Sequence, residues 1–193
     1  MIGRLRHALA ALAAAMLAGC AIPLQVREGE RTVAGGAMVV TADPGWNHLA
    51  VIDRPWTTWT HDGSVLDELR FWAGMKDGDE IAPAESREQR PLSFRRTMQP
   101  HELAALFASL QARDGSVVSV DRLEPAAFVG VPGVRFRWSV LRSADDMRMS
   151  GVGWAAVREG QLYAMTFIAP RLDFFARHLA RVERIARSAK AMR

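Results

Sequence analysis

The chain has 193 residues, of which 49% are hydrophobic and 24% are charged, with a formal net charge of +4 and a single cysteine. The length fits one globular domain, and both fractions are close to the globular average, which excludes a disordered, collagen-like or heptad-built protein. One cysteine excludes a disulfide scaffold, an iron–sulfur cluster and a cysteine-rich zinc site.

The beginning of the chain has the three parts of an export signal. Arg4 and Arg6 give a basic start, residues 8–17 form an unbroken apolar run, and small residues lead into Cys20. As a helix, residues 8–19 would reach only ~18 Å, against ~30 Å of bilayer hydrocarbon. The segment therefore predicts a cleaved signal peptide rather than a membrane span.

The motif Leu17-Ala18-Gly19-Cys20 resembles the lipobox of bacterial lipoproteins. This resemblance implies that lipid is attached to Cys20, that the chain is cut just before it, and that the new amino terminus receives an acyl chain such as palmitate. Two or three acyl chains are sufficient for stable membrane anchoring. Position 21 is alanine rather than the aspartate that retains enteric lipoproteins in the inner membrane, so we expect the outer membrane, facing the periplasm.

The lipobox also predicts the domain organisation. We expect residues 1–19 to be the signal peptide, residues 20–30 a lipidated tether, and residues 31–193 a single globular domain.

The first half of this domain is expected to consist of short strands separated by turns and followed by a loop. Strands are predicted over residues 32–41, 48–52, 56–60 and 65–72, with turns at Asp43-Pro44-Gly45 and His61-Asp62-Gly63-Ser64. Residues 73–99 have no periodicity and predict a long loop.

The second half predicts helices and longer strands. Pro100 begins a helix over residues 100–112, whose apolar residues recur at i, i+3, i+4 and i+7. Period-two alternation predicts strands over 117–123, 134–140, 149–157 and 162–168, and the turn between the last two is centred on Glu159-Gly160. An apolar stripe from Leu172 to Ala189 predicts a C-terminal amphipathic helix. The expected fold class is α+β, an antiparallel sheet of about seven strands covered by helices.

Two segments of this second half, with the strands and helix around them, resemble a known family. The segments are residues 128–136 (FVGVPGVRF), the strands that follow, residues 162–170 (LYAMTFIAP) and a terminal helix ending near Ser188. Together they resemble the latter half of PsbP/Mog1-like proteins. The resemblance implies an α/β/α sandwich, which several bacterial envelope lipoproteins share. It also implies binding of partner proteins or small ligands, without catalysis.

One polar run suggests an alternative, enzymatic function. His61 could act as a base oriented by Asp62 or Asp67, on a hydroxyl such as that of Ser64. No G-x-S-x-G elbow surrounds this serine, however, and Asp-Gly-Ser is also ordinary turn chemistry. The sequence therefore favours a protein that is not an enzyme.

No cofactor and no metal site are predicted from the sequence. H-E-x-x-H is absent, and the acidic run 77–80 lacks the spacing of an EF-hand loop, although a weak calcium-binding turn there stays open.

Tryptophans and a basic helix are the candidates for ligand or partner binding. Trp56 and Trp59 could line an aromatic pocket, although tryptophans more often fill the core. Arg177, Arg181 and Arg184 recur on the face opposite the apolar stripe and could meet anionic lipid or an acidic partner, or simply be solvated. Export from the cytoplasm argues against nucleic acid.

The sequence thus predicts a non-enzymatic envelope lipoprotein, anchored through acylated Cys20, that binds a partner protein or a small apolar ligand. A hydrolase that uses the His61 region and a purely structural or assembly lipoprotein are the alternatives.

Overall fold

The computed structural model describes residues 24–50, 55–84 and 89–192. The predicted signal peptide, Cys20 and the first three residues after it lie outside the described residues, as does the end of the strand predicted over 48–52.

An antiparallel sheet of eight strands forms the centre of the structure. All strands are numbered in chain order. In spatial order the eight are β1 (Leu24–Gln25), β4 (Asn47–Leu49), β5 (Thr57–Thr60), β6 (Glu68–Met75), β12 (Gln161–Pro170), β11 (Arg148–Arg158), β10 (Val131–Leu141) and β9 (Val117–Phe128). The predicted period-two strands of the second half are confirmed as β9 to β12, each two to five residues longer than predicted.

Two tight turns connect the long strands of this meander. Val129 and Gly130 join β9 to β10, and Glu159 and Gly160 join β11 to β12; all four residues have positive φ. Two consecutive left-handed residues are what a type I′ hairpin turn requires, and this turn matches the natural twist of the strands. The predicted turn at Glu159-Gly160 is confirmed.

Short strands form two further sheets. β2 (Gly29–Val33), β3 (Met38–Ala42) and β13 (Lys190–Ala191) make a sheet of three, and β7 (Glu80–Ala82) pairs with β8 (Leu92–Ser93). The strand predicted over 32–41 is therefore a hairpin, because a 3₁₀ turn over Ala34–Gly36 interrupts it.

Several predictions for the first half need correction. The loop predicted over 73–99 contains the β7–β8 pair, and the strand predicted from Val65 begins only at Glu68. Residues 24–30, predicted as tether, include β1, which pairs with β4, and the start of β2. These strands are only two to five residues long and are placed by backbone pairing together with a few buried side chains in or beside them, such as Val26, Ile81 and Phe94, so no local periodicity marks them.

Two helices cover the main sheet on opposite faces. α1 (Pro100–Gln111) begins with a capping box between Gln99 and Glu102, and it packs Leu103 and Phe107 against one face. α2 (Phe174–Ser188) packs Phe175, His178, Val182 and Ile185 towards the other. Side chains alternate between the two cores along each strand, as with Phe71 and Trp72 on β6.

The predicted α+β class is only partly confirmed. The antiparallel sheet and the two helices, including the C-terminal amphipathic one, are as expected. The main sheet has eight strands rather than about seven, and the chain is mainly β rather than a clear α+β sandwich. Within the described residues, neither helix is both long and apolar enough to cross a membrane.

Candidate functional site

Two histidines and an aspartate from distant parts of the chain meet between the end of β5 and the first turns of α2. Asp62 Oδ2 accepts a hydrogen bond from Nε2 of His178 at 2.6 Å, and Asp62 Oδ1 lies 3.2 Å from Nδ1 of His61. The two imidazole centroids are 4.5 Å apart. We call these three residues the His-Asp-His cluster.

The β5–β6 loop holds two members of this cluster through a buried carboxylate. Asp67 Oδ1 accepts hydrogen bonds from the hydroxyl of Thr60 at 2.9 Å and from the backbone N–H of Asp62 at 2.7 Å. Its other oxygen accepts from the N–H of His61 at 2.8 Å. Because Asp67 is almost completely buried, these bonds fix the backbone of the loop and so position His61 and Asp62.

The third member comes from the apolar stripe of α2. His178 is only 2% exposed and lies on the same helix face as Phe175 and Val182. Its ring centroid is 6.2 Å from that of Trp46, which also packs edge-on against His61 at 5.6 Å. The buried indole of Trp46 therefore supports both imidazoles at once.

The β3–β4 turn closes over the cluster. Gly45 has φ of +97°, and a Cβ at this position would lie 2.5 Å from Nε2 of His61. Both the backbone conformation and the close approach therefore require glycine here. Asp43, at the start of the same turn, pairs with Arg184 of α2 at 2.7 Å and so ties the turn to the helix.

Opposing effects act on the carboxyl group of Asp62. Burial on its own would raise its pKa, but the hydrogen bonds from His178 and His61 and the charge of both imidazoles outweigh burial and lower the pKa below its usual value. Arg177 adds a cation 3.9 Å from Oδ2. Asp62 is thus ionised at neutral pH and available as an acceptor or a metal ligand.

Only some of the residues named for the enzymatic alternative are in contact in the structure. His61 and Asp62 are in contact as the sequence suggested, but Asp67 bonds to backbone and to Thr60 rather than to an imidazole. Among the described residues no hydroxyl, including that of Ser64, is hydrogen-bonded to either histidine ring.

Sequence reasoning missed His178, which lies 116 residues from its partner Asp62. A signal was present: His178 stands three residues after Phe175 and four before Val182, on the helix stripe itself. Leu172, by contrast, was predicted in that stripe and is exposed, because α2 begins only at Phe174.

The candidate tryptophans lie on opposite faces of the sheet. Trp59 is buried against Phe71 with ring centroids 4.8 Å apart. Trp56 is half-buried, 5.7 Å from the ring of Trp72, and the guanidinium of Arg70 lies over its ring. The two tryptophans therefore do not line one common pocket.

The candidate arginines of α2 are matched by acids of the same domain. Arg177 pairs with Asp173, and Arg184 and Arg181 lie 2.7 and 3.9 Å from Asp43. A large part of the basic charge on this helix is thus balanced internally.

Similar folds occur among solved structures. The cyanobacterial PsbP of Synechocystis superimposes with a TM-score of 0.60 at 10% identity, over 90% of this chain and 96% of that one. The Ran-binding protein Mog1p of Saccharomyces cerevisiae superimposes with a TM-score of 0.52 at 8% identity, over 84% of this chain and 94% of that one. The fold is PsbP/Mog1-like.

The PsbP/Mog1-like fold therefore extends over nearly the whole described chain, beyond the latter half from which the resemblance was drawn. LpqN, involved in cell envelope biogenesis of Mycobacterium tuberculosis, is also similar, with a TM-score of 0.44 at 11% identity over 81% of this chain and 83% of that one. No protein-family model and no curated protein matches the sequence. At identities this low, the structural similarity to PsbP and Mog1p establishes the fold alone. The function therefore has to be argued from the individual sites.

Proposed function

We propose that the protein is a non-enzymatic lipoprotein of the bacterial envelope, anchored in the outer membrane through acylated Cys20, whose domain binds a partner protein. The lipobox motif at residues 17–20 supports the anchor. The observation that carries the binding function is the free edge of the main sheet at β9.

This edge presents both unpaired backbone and apolar side chains. β9 pairs with β10 on one side, and within residues 24–50, 55–84 and 89–192 no strand pairs with its other side. Val117 is 69% exposed, Val120 is 43% exposed, and Leu141 of β10, directly opposite Val117, is 40% exposed. Exposed strand edges with apolar side chains are places where a strand of another protein can add to the sheet.

The second half of β9 is protected against such pairing. A bulge falls at Asp121, where the register with β10 shifts between Arg137 and Trp138, and Pro125 follows within the strand. Bulges, prolines and charges are common means of blocking edge-to-edge association. The proposed docking segment is therefore the unprotected start of β9, residues 117–120.

A protein partner fits the structure better than a small apolar ligand. Five of the six tryptophans are buried and fill the two cores (Trp46, Trp59, Trp72, Trp138 and Trp154). The cleft beside the β5–β6 loop is lined by charged groups, including Glu68, Arg70 and Arg142. The same fold serves protein binding in Mog1p, which is described as Ran-binding.

Hydrolysis is the second candidate function. The contact of Asp62 with His61 and His178 is the observation in its favour, since a carboxylate that orients an imidazole can support a general base. A nucleophile would have to be a water molecule or come from the substrate, because no hydroxyl of the described residues bonds to either ring.

Replacing Cys20 by alanine should release the protein from the membrane. Without the thiol no lipid can be attached, and the predicted tether offers no other anchor. After cell fractionation we expect the wild-type chain in the membrane pellet, and the Cys20→Ala chain either soluble or uncleaved and still carrying residues 1–19. Ala21→Ser, which keeps the cysteine, should stay in the pellet. A Cys20→Ala chain that is still cleaved at the same bond and still pelleted would contradict lipid anchoring.

A photo-crosslinking side chain at position 117 should capture the partner in intact cells. The same probe at Leu24, which is 61% exposed and lies on β1 at the opposite edge of the main sheet, serves as the control position. We expect an adduct from position 117 only, and at least a tenfold lower yield when Val120→Lys places a charge on the edge strand. No adduct at position 117, or one that Val120→Lys leaves unchanged, would refute docking at this edge.

A further inference from the structure

We propose that His61, Asp62 and His178 form a binding site for a divalent transition-metal cation, with Zn²⁺ as the best fit. This site is independent of the β9 edge and of the membrane anchor.

The donor set is the first argument. Each of the three residues can offer one ligand atom, and these atoms lie within 4.8 Å of one another. Two imidazole nitrogens and one carboxylate oxygen are ligands that zinc commonly accepts, and three protein ligands leave one position for water. Calcium and magnesium prefer oxygen ligands, so this set selects against them.

The distances need only a small adjustment. Ligands at about 2.0–2.1 Å from a tetrahedral zinc ion lie roughly 3.3 Å apart. Asp62 Oδ2 is now 2.6 Å from Nε2 of His178, Asp62 Oδ1 is 3.2 Å from Nδ1 of His61, and no two of the three ligand atoms are more than 4.8 Å apart. Movements of less than about 1 Å would convert the hydrogen-bonded cluster into a coordinated one.

The unpartnered ring nitrogen of His178 is the second, independent argument. Nδ1 of His178 is buried and has no hydrogen-bond partner among the described residues, although the side chain is only 2% exposed. A buried polar atom without a partner costs free energy and calls for an explanation. Nε2 is the nitrogen that faces Asp62, and because no protein group bonds to Nδ1, the ring can carry its proton there and offer the lone pair of Nε2 to a cation.

The cluster is also held in place before any cation arrives. Asp67 fixes the backbone of His61 and Asp62, Trp46 packs on both imidazoles, and α2 places His178. His61 and Asp62 stay partly exposed, so a cation and a water ligand can reach the cluster from solvent. Such support of ligand side chains is a usual property of metal sites.

Titration of the purified full-length chain with zinc chloride tests this site directly. A Cys20→Ala background removes the only thiol, and His101→Gln removes an exposed histidine at the start of α1 as the matched control. By calorimetry we expect one zinc ion per chain with micromolar or tighter affinity. Asp62→Asn and His178→Gln should each weaken binding at least tenfold, and His101→Gln should leave it unchanged.

Three further measurements on the wild-type chain test the site even if a variant is poorly folded. In the wild-type chain, zinc should shift the imidazole ¹⁵N resonances of His61 and His178 but not those of His101, and it should raise the melting temperature by several degrees. Cobalt should give the visible absorption of a four- or five-coordinate site. Saturation only above millimolar zinc, equal affinity in all variants, or resonance shifts confined to other histidines would overturn the proposal.

Discussion

Replacing Gly151 by alanine should destabilise the protein by about 3 kcal/mol or more, at the upper end of what overpacking a core costs. A Cβ at this position of β11 would lie 2.1 Å from Nε1 and 2.2 Å from Cε2 of Trp138. Both residues are buried, and Phe107, Phe136 and Trp138 form a continuous stack of rings. The rigid indole therefore cannot move aside without displacing its neighbours.

Urea denaturation of the variant measures this loss, and a double-mutant cycle assigns its cause. Trp138→Leu removes the ring that clashes, so Gly151→Ala should cost at least about 1 kcal/mol less in that background than in the wild type. Ser150→Ala, the preceding position of the same strand, controls for alanine in β11 and should change stability by less than about 0.5 kcal/mol. If the Gly151→Ala chain kept wild-type stability, β11 could move away from the indole of Trp138 at little cost in free energy, and the prediction would be wrong.

Replacing Asp67 by alanine is expected to cost about 3 kcal/mol, because three donors lose their acceptor inside the protein. These donors are the hydroxyl of Thr60 and the backbone N–H groups of His61 and Asp62. Each buried donor left without a partner costs about 1 kcal/mol or more. The loop carrying His61 and Asp62 would also lose its support, so zinc affinity should fall although Asp67 is not a proposed ligand.

Thermal and urea unfolding measure the first effect, and the imidazole resonances of His61 measure the second. Asp121→Ala is the control, since Asp121 is an exposed aspartate with a single side-chain hydrogen bond, from Ser139. Its loss should change stability by less than about 0.5 kcal/mol. If Asp67→Ala lowered the free energy of unfolding as little as Asp121→Ala does, the buried carboxylate of Asp67 would not be what orders the loop.

The features that sequence reasoning predicted correctly depend on neighbours along the chain. The alternation of β10, the turn at Glu159-Gly160 and the start of α1 at Pro100 are all encoded within a few residues. Period-two patterning and turn chemistry are local properties, so they can be recognised without the fold.

The features that it missed depend on partners far away in the sequence. β1 is a strand only because Leu24 and Gln25 pair with His48 and Asn47. The His-Asp-His cluster forms because the β5–β6 loop meets α2, and nothing near His61 indicates a second imidazole. Two of the three residues of the candidate site were therefore visible in the sequence, and the third, which suggests a metal, required the fold.

The order of the strands determines how far from the membrane the proposed docking edge of an anchored protein could lie. β1 is one edge of the main sheet and β9 is the other, with six strands between them. Seven spacings of about 4.8 Å separate the two edges by roughly 34 Å. If Cys20 carries the lipid, residues 21–23 allow β1 a reach of at most about 14 Å from the anchor. The β1 edge would then stay near the lipid headgroups, while residues 117–120 could lie as far as roughly 34 Å beyond it, where a partner can approach without competing with the bilayer.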